Sequence, residues 1–293
     1  LNFKGEIFNL LLDLDFNKKI EAGSKSIINI NLENLKLNIS DESYHESKNI
    51  IKGFNSISIL NSKLDTSYKL KENLLIFESN KSRLVNSNIY YKGKLSIEPF
   101  NFIINVDIEK INFTKLFNQN SIFVELLKNK ILFNKNISTQ VSINTPKISK
   151  NKLFDSASIM FNIIEGKVNF DKTRLINDKI GVLEIARSNL FFVNNDLIFN
   201  SDVNIEIKNS DNLFSFFQTT KKSRIPIKNI LINLDYNITN NTIILNRLNF
   251  DGHKTNKELE YIISIFNSQV NVGSKNLIKN KYWFNKLFSA YSG

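Results

Sequence analysis

Hydrophobic side chains recur at every second position along most of this chain. Ile28, Ile30 and Leu32 alternate with Asn29 and Asn31, Leu35, Leu37 and Ile39 enclose Lys36 and Asn38, and Leu64, Thr66, Tyr68 and Leu70 repeat the pattern. The same spacing runs through Phe102, Ile104, Val106 and Ile108, and again through Ile137, Thr139, Val141 and Ile143. Further along come Ile159, Phe161 and Ile163, then Val203, Ile205 and Ile207, then Ile230, Ile232, Leu234, Tyr236 and Ile238. Successive strand residues point to opposite faces, so each run reads as a strand with one apolar and one wet face. Asn194-Asn195-Asp196 and Asn240-Asn241 separate such runs, and Asn tolerates the left-handed backbone of tight hairpins. Antiparallel meanders follow. Polar turns precede apolar bursts at Glu72, Asn194 and Asn240, but their unequal spacing excludes a fixed-period repeat.

Helical spacing replaces the alternation in three places. One insertion spans 111–130, where Phe113, Leu116, Phe117, Val124 and Leu127 follow a helical period. A second spans 211–218, with Asp211 as the expected N-cap and Leu213, Phe214, Phe216 and Phe217 packed into two turns. From 257 to 293 an amphipathic helical tail sets Leu259, Ile262, Ile263 and Phe266 on one face, then Leu277, Phe284, Leu287, Phe288 and Tyr291 on another. No Pro-, Gly- or Ser-rich linker interrupts the alternation, so 1–256 is expected to form one continuous β domain.

The chemical inventory narrows the function. The chain has no Cys, which removes disulfides, thiolate metal sites and cysteine nucleophiles. His45 and His253 sit in polar, turn-like contexts without a second His at ligand spacing. Asp13 and Asp15 share a strand face, as the wet side of a sheet commonly does. No nucleophile elbow, phosphate loop or dinucleotide fingerprint occurs. No catalytic residue, metal site or cofactor is expected, and the chain is not read as an enzyme. The net charge of +11 raises nucleic acid as a partner. Only Arg83, Arg174, Arg187, Arg224 and Arg247 carry the planar fork that phosphate and base edges favour, and Lys supplies the rest, so no nucleic-acid partner is expected. No apolar stretch is long enough to span a bilayer as a helix. The chain begins at Leu1 with no basic, then apolar, leader, so a processed chain or fragment with any anchor upstream is expected.

An antiparallel sheet must cover its apolar face, by a second sheet, by closure, or by something that is not protein. With 24 Phe and 8 Tyr the apolar set is large. Two readings without cargo stand beside a groove: a β-sandwich assembly module, and an outer-membrane barrel, which the single Trp and the internal helices disfavour. The groove reading expects an elongated, curled antiparallel sheet with a hydrophobic trough for acyl chains. Its expected lining is Ile159, Phe161, Ile163, Val203, Ile205, Ile207, Ile230, Ile232, Leu234 and Tyr236, with Asn204, Glu206, Asn233 and Asp235 facing solvent.

From Ser156 to Gly252 the chain resembles the C-terminal region of the AsmA family of Gram-negative bacteria. The likeness is carried by Ile159 to Phe170, by Asp202-Val203-Asn204-Ile205-Glu206-Ile207, by Asp211 to Gln218, by Asn233 to Ile238 and by Leu245 to Gly252. The closing Trp283 to Gly293 is similar to tails of such proteins. The resemblance implies a bridge-like lipid-transfer protein of the periplasm, held at the inner membrane by an upstream anchor. It implies a β-groove that conducts phospholipid toward the outer membrane and supports its biogenesis. Membrane contact at one or both ends is expected through segments outside this chain or through the C-terminal tail.

Overall fold

The computed structural model describes residues 2–7, 10–19, 25–32, 37–59, 61–85, 87–113, 127, 130–252, 257–268 and 277–292. The protein is mainly β, with eighteen strands in one large mixed sheet and, among the described residues, three short α-helices. The chain divides into two compact units, one of 1–111 with 138–146 and one of 112–137 with 147–293.

The first unit is a meander. Its strands are β1 (Asn2–Ile7), β2 (Leu10–Lys19), β3 (Lys25–Leu32), β4 (Leu37–Ser47), β5 (Ile50–Ile59) and β6 (Ser62–Lys71). Then come β7 (Leu74–Ser79), β8 (Ser82–Leu84), β9 (Ser87–Ser96), β10 (Asn101–Ile108) and β11 (Ser138–Thr145). From β1 to β6 each strand pairs antiparallel with the next. β7 and β8 share one place in the ladder, because both pair with β6 and with β9. The break between them is closed by Ser82, whose hydroxyl accepts from the Asp65 N–H and donates to the Asp65 carbonyl.

β10 pairs antiparallel with β9 but parallel with β11. The sheet is therefore mixed, with this parallel pair set among antiparallel ones. A parallel neighbour needs a crossover of a dozen or more residues, and 109–137 supplies it. Most of the expected 111–130 helical insertion lies within this crossover. Residues 114–126, 128 and 129 fall outside the described residues, and Lys130–Phe133 forms one 3₁₀ turn.

The second unit holds β12 (Ser156–Ile164), β13 (Lys167–Asn169), β14 (Arg174–Asn177), β15 (Gly181–Val193), β16 (Asp196–Ile207), β17 (Asn229–Asn237) and β18 (Thr242–Phe250). β13 and β14 share the place between β12 and β15, and from β15 onward the ladder is an antiparallel meander whose register shifts between Ala186 and Asn189 and between Asn233 and Leu234. Asn194 and Asn195, at φ 47° and 69°, make the β15–β16 turn in the left-handed conformation that their side chains tolerate.

The helices are α1 (Ser210–Phe217), α2 (Lys257–Ser268) and α3 (Leu277–Ser292). α1 starts one residue earlier than expected. Its cap is Asn209, whose side chain accepts from the Asn212 N–H at 3.0 Å, and Asp211 stands in the first turn, where it favours the helix dipole. Leu213, Phe214 and Phe217 of α1, Leu259, Ile262 and Ile263 of α2, and Trp283, Leu287 and Phe288 of α3 are buried in one cluster with Val203, Ile207, Ile230, Ile232, Leu248 and Phe250 of the sheet. Phe288 is the hub, edge-on to Phe214 at 5.5 Å and beside Phe250 at 6.2 Å. Polar latches hold α3 down. Asn285 donates to the Phe217 carbonyl and accepts from Thr219, each at 2.7 Å, and Ser289 bonds Ser223 at 3.0 Å.

Candidate functional site

Pairing register fixes which side chains share a face. In the second unit Val203 lies opposite Ile232 and Ile205 opposite Ile230, and Ile232 in turn lies opposite Leu248. The ten expected lining residues lie on β12, β16 and β17. Their surroundings differ from a trough, however. Val203, Ile207, Ile230 and Ile232 are buried beneath the helices, with Ile205 and Leu234 packed at the rim of the same cluster. What covers these six is protein. Asn204 and Glu206 are exposed on the opposite face, whereas Asn233 and Asp235 are half-buried. The latter two are drawn into a side-chain ladder: Asn233 donates to Asp202, and Asn246 and Asn200 both donate to Asp235, at 2.7–2.8 Å.

Phe161, Ile163 and Tyr236 belong to a second cluster, built around Val168, Phe170, Leu190 and Leu197, and Ile159 is buried separately. Beside it is a cavity of about 310 Å³, of a size that holds a small ligand. Ile159, Tyr236, Phe170, Leu175, Ile185 and Phe199 line it, together with Phe113 and Leu127 of the crossover. Its two polar side chains are satisfied by the chain itself. Thr173 accepts from the Met160 N–H at 3.0 Å and donates to the Met160 carbonyl at 3.1 Å, and the Tyr236 hydroxyl donates to Asn241 at 2.9 Å. Burial raises the Tyr236 pKa and keeps the phenol neutral. The cavity offers an occupant hydrocarbon contact alone.

In the first unit one sheet face is apolar from strand to strand. Ile51, Leu70, Leu75, Leu95 and Phe102 lie directly opposite one another across β5, β6, β7, β9 and β10. The adjoining row is Gly53, Tyr68, Phe77, Gly93 and Ile104. The aromatic rings lie flat over the two glycines. A Cβ on Gly53 would come within 2.3 Å of the Tyr68 ring, and one on Gly93 within 2.6 Å of Phe77 and 2.4 Å of the Ile103 carbonyl oxygen. Phe77 also stacks on Phe102, with centroids 6.0 Å apart and planes 11° from parallel. The Tyr68 hydroxyl donates to Asp41 on β4 at 3.0 Å; burial foremost, then Asp41, pushes its pKa up to about 12.

Ile51, Leu70, Leu75, Leu95 and Phe102 are all half-buried. Among the described residues no helix belongs to this unit, and both clusters of buried apolar side chains belong to the other. Further along the same face Ile89, Val106 and Ile108 are buried at 7–8% exposure, as Val203, Ile207 and Ile232 are at 8–9% beneath the helices, so it is the row from Ile51 to Phe102 that stays half-open. The half-open apolar row lies on β5, β6, β7, β9 and β10; the alternation at Leu64–Leu70 and Phe102–Ile108 and the apolar burst after Glu72 mark three of these, β5 and β9 are not singled out, and none is assigned to the lining. The available signal was negative, in that every helical stripe of the sequence lies after residue 110.

No protein-family model, curated protein or solved structure matches the chain. Function is therefore argued from the faces alone. Among the described residues no cluster of His, Asp and Glu could hold a metal ion, and no helix is long and apolar enough to cross a membrane. His45 is exposed, and His253 lies outside the described residues. Asp13 pairs with Lys4 at 3.1 Å, and Asp15 accepts from Asn17 at 3.1 Å, so the acidic pair serves the sheet surface.

Proposed function

We propose that the protein holds phospholipid acyl chains against the half-open apolar face of its first unit, as a lipid-transfer or outer-membrane-biogenesis protein of the periplasm. The observation that carries this reading is the half-open apolar row from Ile51 to Phe102, against which none of the three described helices packs, whereas the apolar face of β16–β18 lies beneath them. Apolar area left to water costs about 25 cal/mol per Å², so a wide open face favours a non-protein cover. Each methylene withdrawn from water contributes about 0.8 kcal/mol. The largely apolar cavity of the second unit, whose Thr173 and Tyr236 are bonded within the chain, supports the same ligand class. The resemblance to the AsmA family agrees, and with it go an inner-membrane anchor upstream of this chain and a path toward the outer membrane.

A β-sandwich-like assembly module without cargo is the competing reading, favoured by the helix-covered core of the second unit. An outer-membrane barrel fits less well, because the parallel β10–β11 pair departs from the antiparallel order of such barrels. Native mass spectrometry of protein purified without detergent tests the proposal. Co-purifying phospholipid, lost on Leu95→Asp in a variant that still folds, supports it. A wild type free of lipid supports the assembly module.

A further inference from the structure

The opposite face of the same strands is unusual in another way. Lys52 and Lys69 lie directly opposite each other on β5 and β6, and the row continues through Ile76 to Lys94 and Ile103. Facing like charges destabilise a sheet, and Glu46 offsets this by pairing with both Lys52 and Lys69. Lys92 and Lys94 are exposed and have no ion-pair partner among the described residues, although Glu78 stands across the ladder from Lys92. These lysines wall a shallow depression of about 570 Å³ with Ile76 and Ile103 in its lining. Lys71 and Leu74 occupy the adjoining row. Ile76 is 53% exposed, Phe54 42% and Leu74 38%, all on this face.

Exposed aliphatic and aromatic side chains among lysines make a surface with two simultaneous demands, anionic charge and hydrocarbon. A free phosphate would leave Ile76, Leu74 and Phe54 in water. Nucleic acid would favour Arg forks and base-stacking rings, and this patch has no Arg. An anionic bilayer meets both demands: long lysine stems lie along apolar surface while their ammonium groups reach headgroup phosphates, and the apolar side chains enter the interface. We propose that this outer face of the first unit docks on the surface of a bilayer containing anionic phospholipid. The inference does not rest on acyl-chain carriage, which concerns the other face.

The test is flotation of the full chain with vesicles of phosphatidylglycerol and phosphatidylcholine, against vesicles of phosphatidylcholine alone. Binding is expected only to the anionic vesicles and should weaken in high salt. Each lysine near an anionic surface is worth roughly fivefold in partitioning, so Lys92→Gln with Lys94→Gln should lower it roughly 25-fold. As a second readout in an otherwise unaltered chain, Ile76→Trp should show blue-shifted emission on adding anionic vesicles. Equal binding to both vesicle types, or an unchanged double variant, overturns the proposal. So does displacement from anionic vesicles by a single-stranded oligonucleotide whose own binding needs Lys92 and Lys94.

Discussion

Tyr68 shows how one side chain serves two ends. Its ring fills the space over Gly53, and its hydroxyl reaches across β5 to Asp41, which sets a polar tie at the edge of the apolar rows. Burial foremost, and then the Asp41 carboxylate beside it, disfavours the phenolate, so the folded pKa, about 12, stands above the ordinary value near 10. A raised pKa means that the protonated phenol stabilises the fold fully below pH 10, and that this contribution is lost as pH rises from about 10 toward 12. Urea midpoints should therefore fall less steeply over that window in Tyr68→Phe than in the wild type; parallel slopes would contradict the assignment. Ile232 and Leu95 make a second residue-scale comparison. Ile232 is buried under the helices, and a carboxylate there would be an unpaired buried charge, so Ile232→Asp should lose several kcal/mol and fail to fold stably. Leu95 is half-buried on the open face, so Leu95→Asp should cost about 1 kcal/mol or less in a thermal melt while removing bound lipid.

Period-two spacing made the strands legible, because nothing but a pleated strand puts Val203, Ile205 and Ile207 on one side and Asn204 and Glu206 on the other. What covers each face was not legible. Ile205 and Leu95 have similar neighbours along their strands, and their different fates depend on α1, α2 and α3, which fold back onto β16–β18 and not onto β5–β10. Direction was hidden too, since alternation is the same in parallel and antiparallel pairs; the helical insertion after Ile108 was the one cue to the β10–β11 crossover. Half-burial of Asn233 and Asp235 escaped the sequence because it comes from side chains on three strands bonding one another. The helical cover itself is open to test. Truncating the hub by Phe288→Ala removes a ring packed among Phe214, Phe217, Phe250 and Phe284, and should destabilise the second unit by about 3–5 kcal/mol in denaturant titration. A change under 1 kcal/mol would mean that α3 contributes little to that core.

On the scale of the molecule, one sheet type has been finished in two ways. The second unit buries the apolar face of β16–β18 with its own helices and keeps a largely apolar cavity beside its other cluster, whereas the first unit keeps a row from Ile51 to Phe102 half-open to its surroundings. That contrast is the central claim, and a photo-reactive side chain placed singly in the row reads it most directly. Introduced at Leu75 or Leu95 in cells, it should capture phospholipid on illumination, detectable by mass analysis of the purified adduct. At Ile232 it should capture only neighbouring protein. Phospholipid at positions 75 and 95 and none at 232 is the predicted result; no lipid adduct at either open-face position would contradict the account.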